Sequence, residues 1–201
     1  MLNSLFQISP DPVFIILMIA GFLMVLAVHE AAHAYTAHLL GDDTAKLAGR
    51  MTLNPFPHLD PMGTAMLVFF GFGWGKPVPI NPYRLRDYRR DSALIALAGP
   101  MSNFILAILL AIIFHLSGGG LMILAFLVQL SVLLGVFNLL PFGPLDGFKV
   151  VAGLLPAGLA RDWEQTSSLG IIVLLFLLIT PAFSSIISTP VTFISKLLLG
   201  F

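Results

Sequence analysis

Cysteine is absent from the 201 residues. Disulfides and thiolate ligands are therefore excluded, and a metal site in this chain has to be built from imidazole and carboxylate. Charge is also scarce. Asp, Glu, Lys and Arg make up 10% of the chain, where a soluble domain carries about a quarter. The ten basic residues balance the ten acidic ones, so there is no basic footprint for nucleic acid. Apolar surface takes the place of charge: 58% of the residues are hydrophobic and the mean hydropathy is +0.98. This composition points to an all-α polytopic membrane protein whose core is helix against helix in a lipid bilayer.

Four segments read as membrane helices: Val13 to Leu40, Ser92 to Leu116, Leu121 to Leu140, and Ser168 to Ile187, the last kinked or ended by Pro181. A fifth apolar stretch, Met62 to Trp74, is too short for a crossing of roughly 20 residues. It is broken by Gly63, Gly71 and Gly73, with Gly75 just beyond. It reads as a re-entrant Gly/Pro-rich loop or small β element between the first two spans, of a kind tolerated only where protein or a wet cavity covers it. Pro190 to Phe201 is expected to lie along an interface. Met1 to Asp11 lacks a basic leader, and the apolar run behind it is expected to be retained. The whole, residues 1–201, reads as a single membrane-embedded domain. Its catalytic core covers about 13–147, and a C-terminal helix and tail follow at 148–201.

If Met62 to Trp74 does not cross, Lys46, Arg50, Lys76, Arg84, Arg86, Arg89, Arg90, Lys149 and Arg161 share one side, and only Lys196 departs. The positive-inside bias makes that side cytoplasmic.

The second half of the first span carries His29-Glu30-Ala31-Ala32-His33. On a helix, His29 and His33 share a face one turn apart, where both imidazoles reach one ion. Glu30 stands beside them, placed to take a proton from an attacking water. Ionisable groups in a bilayer span cost several kcal/mol and are read as functional by default. A catalytic zinc has three protein ligands and an open position. The third has to come from the same leaflet, and Asp146 is the leading candidate. It follows Pro141 and Pro144, which break the third span, and Gly147 lets the backbone turn beside it. Asp60 is its rival. Asp42 and Asp43, after Gly41, read as solvated; Asp87, Asp91, Asp162 and Glu164 read as interfacial. The plainer reading of Asp146 is a turn carboxylate. His38 and His115 read as interfacial. His58 reads either as a loop hydrogen-bonder or as a group that approaches the metal.

Together, His29-Glu30-Ala31-Ala32-His33, Ala98-Gly99-Pro100-Met101-Ser102-Asn103 and Leu145-Asp146-Gly147 resemble the motifs of the site-2 protease family of intramembrane zinc metalloproteases. The stretches Arg50 to Gly63 and Gly73 to Pro82 resemble the loop of its compact prokaryotic members, which lack PDZ and CBS domains. The resemblance implies one Zn²⁺ held by His29, His33 and Asp146, with Glu30 as catalytic acid/base. It also implies that Asn103 and Asn138 lie near the site, to orient substrate or stabilise the oxyanion. Their plainer reading is interhelical hydrogen bonding. The implied partner is a transmembrane protein substrate, in a bacterial or archaeal cell membrane, with the site toward the cytoplasmic leaflet. Two other functions compete. An enzyme-dead relative would bind membrane partners without cutting them. A metal transporter would carry polar residues through both leaflets, whereas the opposite-side halves of these helices are almost wholly apolar apart from Gln129.

Overall fold

The computed structural model describes residues 12–70, 73–178 and 180–201. Met1 to Asp11, Gly71, Phe72 and Ile179 lie outside the described residues, and with them the stretch before the first span and the expected glycine break at Gly71. The described residues are helical, without a β-strand. In chain order the elements are α1 (Pro12–Leu39), α2 (Thr44–Leu47), α3 (Pro61–Phe70), α4 (Tyr88–Leu116), α5 (Met122–Asn138), α6 (Asp146–Leu154), α7 (Ala157–Gln165), α8 (Ser167–Leu178) and α9 (Pro181–Leu199). Short 3-10 turns occur at Phe56–His58 and Pro82–Arg84.

The frame is α1, α4 and α5. α4 packs against both of the others, and small residues make the close approach possible: Ala27, Ala34 and Ala37 on α1, Ala96, Ala107 and Ala111 on α4, Ala125 on α5 are all buried. This is the packing expected where lipid removes the hydrophobic drive between helices and van der Waals contact remains. The outward face of α4 is apolar and exposed at helical spacing, through Ile105, Ile108 and Ile112, a stripe suited to acyl chains. Within α1, α4 and α5 the segments 16–39, 92–116 and 122–138 contain one Asp, Glu, Lys or Arg, namely Glu30. The chain is a membrane protein by this pattern. Two described helices, Ile16–Leu39 and Tyr88–Leu116, are long and apolar enough to cross a bilayer.

The remaining expected spans come out differently. The third is Met122–Asn138, 17 residues, or roughly 26 Å at 1.5 Å per residue. The fourth is divided: α8 ends at Leu178, and α9 starts at Pro181, which is well placed as the first helical residue. The tail, expected along an interface, is helical and packs one face against the other helices. α9 continues through Pro190 to Leu199, and Ile187, Val191 and Leu199 bury their side chains in the same core as Ala107, Phe114 and Val128. A proline inside a helix costs a hydrogen bond and a steric clash; burial of that apolar face outweighs it. The expected β element is reduced to a single bridge, Leu59 with Gly75. Within Met62 to Trp74 the described backbone forms α3, ten residues long, or about 15 Å, half of a crossing. Asp60 caps it by accepting from the Gly63 N–H at 2.8 Å.

Loop 40–87 is held by buried charge rather than by strands. Asp42, which the sequence placed in solvent, is fully buried. Its carboxylate accepts from the Thr44 N–H at 2.9 Å and the Asn81 N–H at 2.6 Å, and from the Thr44 hydroxyl. Burial alone would raise its pKa, but these donors and the nearby Arg84 hold it below the usual carboxylate range. Asp91, read as interfacial, is also buried and accepts from the Arg86 and Asp87 N–H groups, both at 3.1 Å.

Candidate metal centre

α1 presents His29 and His33 one turn apart, both buried, with ring centroids 4.6 Å apart and planes at 89°. α6 begins at Asp146, so the third carboxylate sits at a helix N-terminus, where the backbone dipole favours negative charge. Helix α6 therefore runs across the expected boundary at 147, because the ligand is its first residue. Two contacts anchor it. Arg89 of α4 donates to the Leu155 carbonyl at 2.8 Å, and Trp163 of α7 stacks on Phe148 and donates to its carbonyl at 3.0 Å.

The three side chains meet. His29 Nε2 and His33 Nε2 lie 3.0 Å apart, and Asp146 Oδ2 is 3.1 Å from the first and 3.3 Å from the second. Ligand atoms of a tetrahedral site with bonds of about 2.0–2.1 Å stand roughly 3.3 Å from one another, so the observed triangle has the dimensions such an ion requires. The buried Asp146 Oδ2 receives no hydrogen bond despite these neighbours. The arrangement leaves a lone pair waiting for a cation, and the donor set, two imidazoles and a carboxylate, suits zinc.

The outer partners complete the fit. His33 Nδ1 donates to the Ile95 carbonyl at 2.7 Å, which leaves its Nε2 lone pair for a metal. His29 Nδ1 faces the carboxamide of Asn103 at 2.9 Å, and Asn103 Oδ1 is a buried atom without a partner. The two ends of a carboxamide exchange by a half-turn. With Oδ1 toward the ring, His29 Nδ1 donates and its Nε2 is also free. Gly99 lets α4 come this close: a Cβ there would stand 2.5 Å from His33 Nε2 and 2.7 Å from His29 Cε1. Gly147 does the same for the Asp146 turn, where a Cβ would lie 2.2 Å from the Leu139 carbonyl oxygen.

The other expected residues are distributed around this triangle. Glu30 is buried beside it, with Oε2 unpartnered, and faces the Val78 N–H. Asn138 donates to the Leu134 carbonyl of its own helix at 3.0 Å. His58 is fully buried but lies outside the ligand group; both its nitrogens are engaged, Nε2 with the Thr52 carbonyl at 2.9 Å and Nδ1 with Arg50 at 3.4 Å. Burial and the Arg50 charge lower its pKa against the opposing pull of the Thr52 carbonyl. Among the described residues, His29, His33 and Asp146 are the only group of three or more such side chains arranged to share an ion.

The comparisons with known proteins agree with this geometry. The family model "Peptidase family M50" matches residues 116–180, which include Asp146. A Bacillus subtilis protein named "Putative zinc metalloprotease YwhC" is 41% identical over 189 residues, covering 88% of this chain and 84% of that protein. This chain belongs to peptidase family M50, the site-2 proteases. Proteins named "Putative zinc metalloprotease Rip2" from Mycolicibacterium smegmatis and Mycobacterium tuberculosis H37Rv are 35% and 34% identical, each aligned with 83% of this chain and 68% of its own length. No solved structure matches. Sequence reasoning passed over several groups that shape this M50 centre: the carbonyl of Ile95, Arg89 and the Val78 N–H. Arg50 and Val78 lie in stretches that resemble the family loop, but nothing local marks an arginine as buried.

Proposed function

We propose that this chain is an intramembrane zinc metalloprotease that hydrolyses a peptide bond within or near a transmembrane segment of another membrane protein. The observation that carries the reading is the buried triangle of His29 Nε2, His33 Nε2 and Asp146 Oδ2 with the Glu30 carboxylate beside it. Those three atoms would hold a zinc ion, which would supply a Lewis acid and make a water far easier to deprotonate.

The remaining work falls to the chain's own residues. Glu30 accepts a proton as water adds to the scissile carbonyl carbon. It then delivers that proton to the amide nitrogen as the C–N bond breaks. Asn103, hydrogen-bonded to His29, sets the orientation of that ring rather than meeting substrate. Asn138 keeps a second amide hydrogen beyond the one spent on Leu134, and that hydrogen is the candidate donor to substrate or oxyanion. A helical peptide bond is shielded by its own hydrogen bonds, so substrates with helix-weakening residues near the cytoplasmic end of their span are preferred. The extended stretch beside Glu30 offers an unwound substrate an edge, though Pro77 and Pro79 carry no N–H and limit a full ladder. Basic residues gathered in loop 40–90 support placing the site toward the cytoplasmic leaflet.

The test is cleavage of a membrane-protein substrate by purified protein in proteoliposomes. Glu30→Gln is expected to retain zinc and lose activity by at least about 10²–10⁴-fold, the range of general acid–base catalysis. Full cleavage by that variant would remove Glu30 from its role. Cleavage that survives exhaustive chelation would remove the metal.

A further inference from the structure

Arg50 is buried to 5% exposure although it belongs to a surface loop. A buried guanidinium calls for acceptors, and the acceptors Arg50 finds are specific. Its Nη1 donates to the Pro77 carbonyl at 3.3 Å, and its Nη2 donates to the Lys76 carbonyl. The same Nη2 meets His58 Nδ1 at 3.4 Å. His58 Nε2 can only donate to the Thr52 carbonyl, so Nδ1 carries the lone pair and accepts from Arg50. His58 also receives the Lys76 N–H on its own carbonyl at 2.8 Å. The strip Lys76-Pro77-Val78 is thus gripped on successive carbonyls by one side chain and on one N–H by the histidine that supports it. The strip runs beside α1 here: a Cβ on Gly75, just before it, would stand 3.3 Å from Leu26 Cδ1, one turn before Glu30. The next N–H along the strip is that of Val78, directed toward Glu30. Pro77 and Pro79 on either side have none to offer. Further along, Asn81 is pinned by Asp42.

We infer that Arg50 is a positioning residue for Glu30: by clamping the carbonyls of Lys76 and Pro77, with His58 as its backing, it holds the Val78 N–H on one oxygen of the Glu30 carboxylate. The other, Oε2, has no protein partner and is left for the proton of the attacking water. The clamp acts at a distance from the metal ligands, and Arg50 touches none of them. Its planar fork matters, since lysine, a single point donor, does not span two carbonyls and an imidazole.

The inference rests on the proteolytic reading above, and its test separates the two. Wild-type protein, Arg50→Gln, Arg50→Lys and Val78→Pro are compared in proteoliposomes for kcat, KM, bound zinc and hydrogen exchange of the amides at 74–81. Arg50→Gln is expected to lower kcat at least tenfold with KM within about twofold and one zinc per chain retained, and to speed exchange at Val78 while α1 and α4 stay protected. Arg50→Lys recovers less than half of the loss. Val78→Pro, which removes the N–H and leaves the arginine, lowers kcat to a similar degree. The inference is overturned if Arg50→Gln keeps wild-type kcat, or if zinc and global protection fall in step with activity. It is also overturned if Val78→Pro is fully active, which decides the matter even should the arginine variants fail to fold. Absence of cleavage by the wild-type protein itself counts against the protease reading instead; the exchange at Val78 then judges the clamp alone, and unchanged exchange in Arg50→Gln overturns it.

Discussion

Two regions of this protein bury polar groups, and they treat them in opposite ways. In loop 40–87 and the first turn of α4 the buried Asp42 and Asp91 are saturated by backbone N–H groups, and Arg50 and His58 by carbonyls and each other; Arg50 Nε alone is left over. At the meeting of α1, α4 and α6, Glu30 Oε2 and Asp146 Oδ2 are buried without a hydrogen bond, while Asn103 Oδ1 is satisfied by His29 once the carboxamide is turned. A buried polar atom without a partner costs about 1–3 kcal/mol. Two of them gathered around two imidazoles fit a site that an ion and a water would complete. The saturated region is scaffold, and the unsaturated one is chemistry. Among the described residues the two other unpartnered buried side-chain atoms are the hydroxyls of Ser131 on α5 and Ser195 on α9.

The contrast can be broken most sharply at Gly99. Replacing it with alanine puts a Cβ 2.5 Å from His33 Nε2, inside the space the ligand atom needs. Gly99→Ala is expected to lose bound zinc and activity together while circular dichroism stays helical. Metal analysis of the purified variant decides it, and a full complement of zinc would show that the ligand triangle tolerates displacement. A smaller effect is expected at Asn103. Asn103→Leu leaves His29 Nδ1 without its partner, and loss of such an outer partner weakens metal binding about 10–100-fold. Competition with a chelator measures it. Asn103→Asp, which keeps an acceptor, should recover most of the affinity, and no difference between the two would reduce Asn103 to packing.

Asp42, in the saturated region and away from the Arg50 clamp, predicts a change in stability instead of chemistry. Asp42→Asn weakens charge-assisted bonds to Thr44 and Asn81 and is expected to cost about 1–3 kcal/mol, read as a lower melting temperature in detergent with zinc content unchanged. The pH dependence has a definite sign. The folded pKa of Asp42 is depressed by its donors and Arg84, so its contribution is present above the unfolded value of about 3.9 and is lost as pH falls through the lower folded value. Wild-type protein should therefore lose more stability than Asp42→Asn on acidification below about pH 4. Parallel acid profiles would place the bonds of Asp42 among those of no net effect.

What could be read from the sequence was whatever depends on local spacing. A separation of four residues on a helix puts His29 and His33 on one face whatever surrounds them. An apolar span of about 20 residues marks a membrane helix, and proline and glycine around Asp146 mark a turn. Those rules account for the first two spans and for Asp146 as the leading candidate to join His29 and His33. Where the outcome turned on partners far along the chain, local rules failed. Asp42 looked solvated because it follows Gly41 at a helix end, but its decisive donor is the N–H of Asn81, 39 residues away. Pro190 looked like a boundary, yet the core into which Ile187, Val191 and Leu199 pack carries the helix through it. His58 read equally as a loop hydrogen-bonder and as a group near the metal, and its contacts with Arg50 and Thr52 favour the first. Which residues are candidates to hold a metal was thus legible in the order of amino acids. How closely α4 approaches the imidazoles, which carbonyls Arg50 grips, and which polar atoms remain unpaired were decided by packing, because a hydrogen bond or a close contact is set by distance in space and not by distance along the chain.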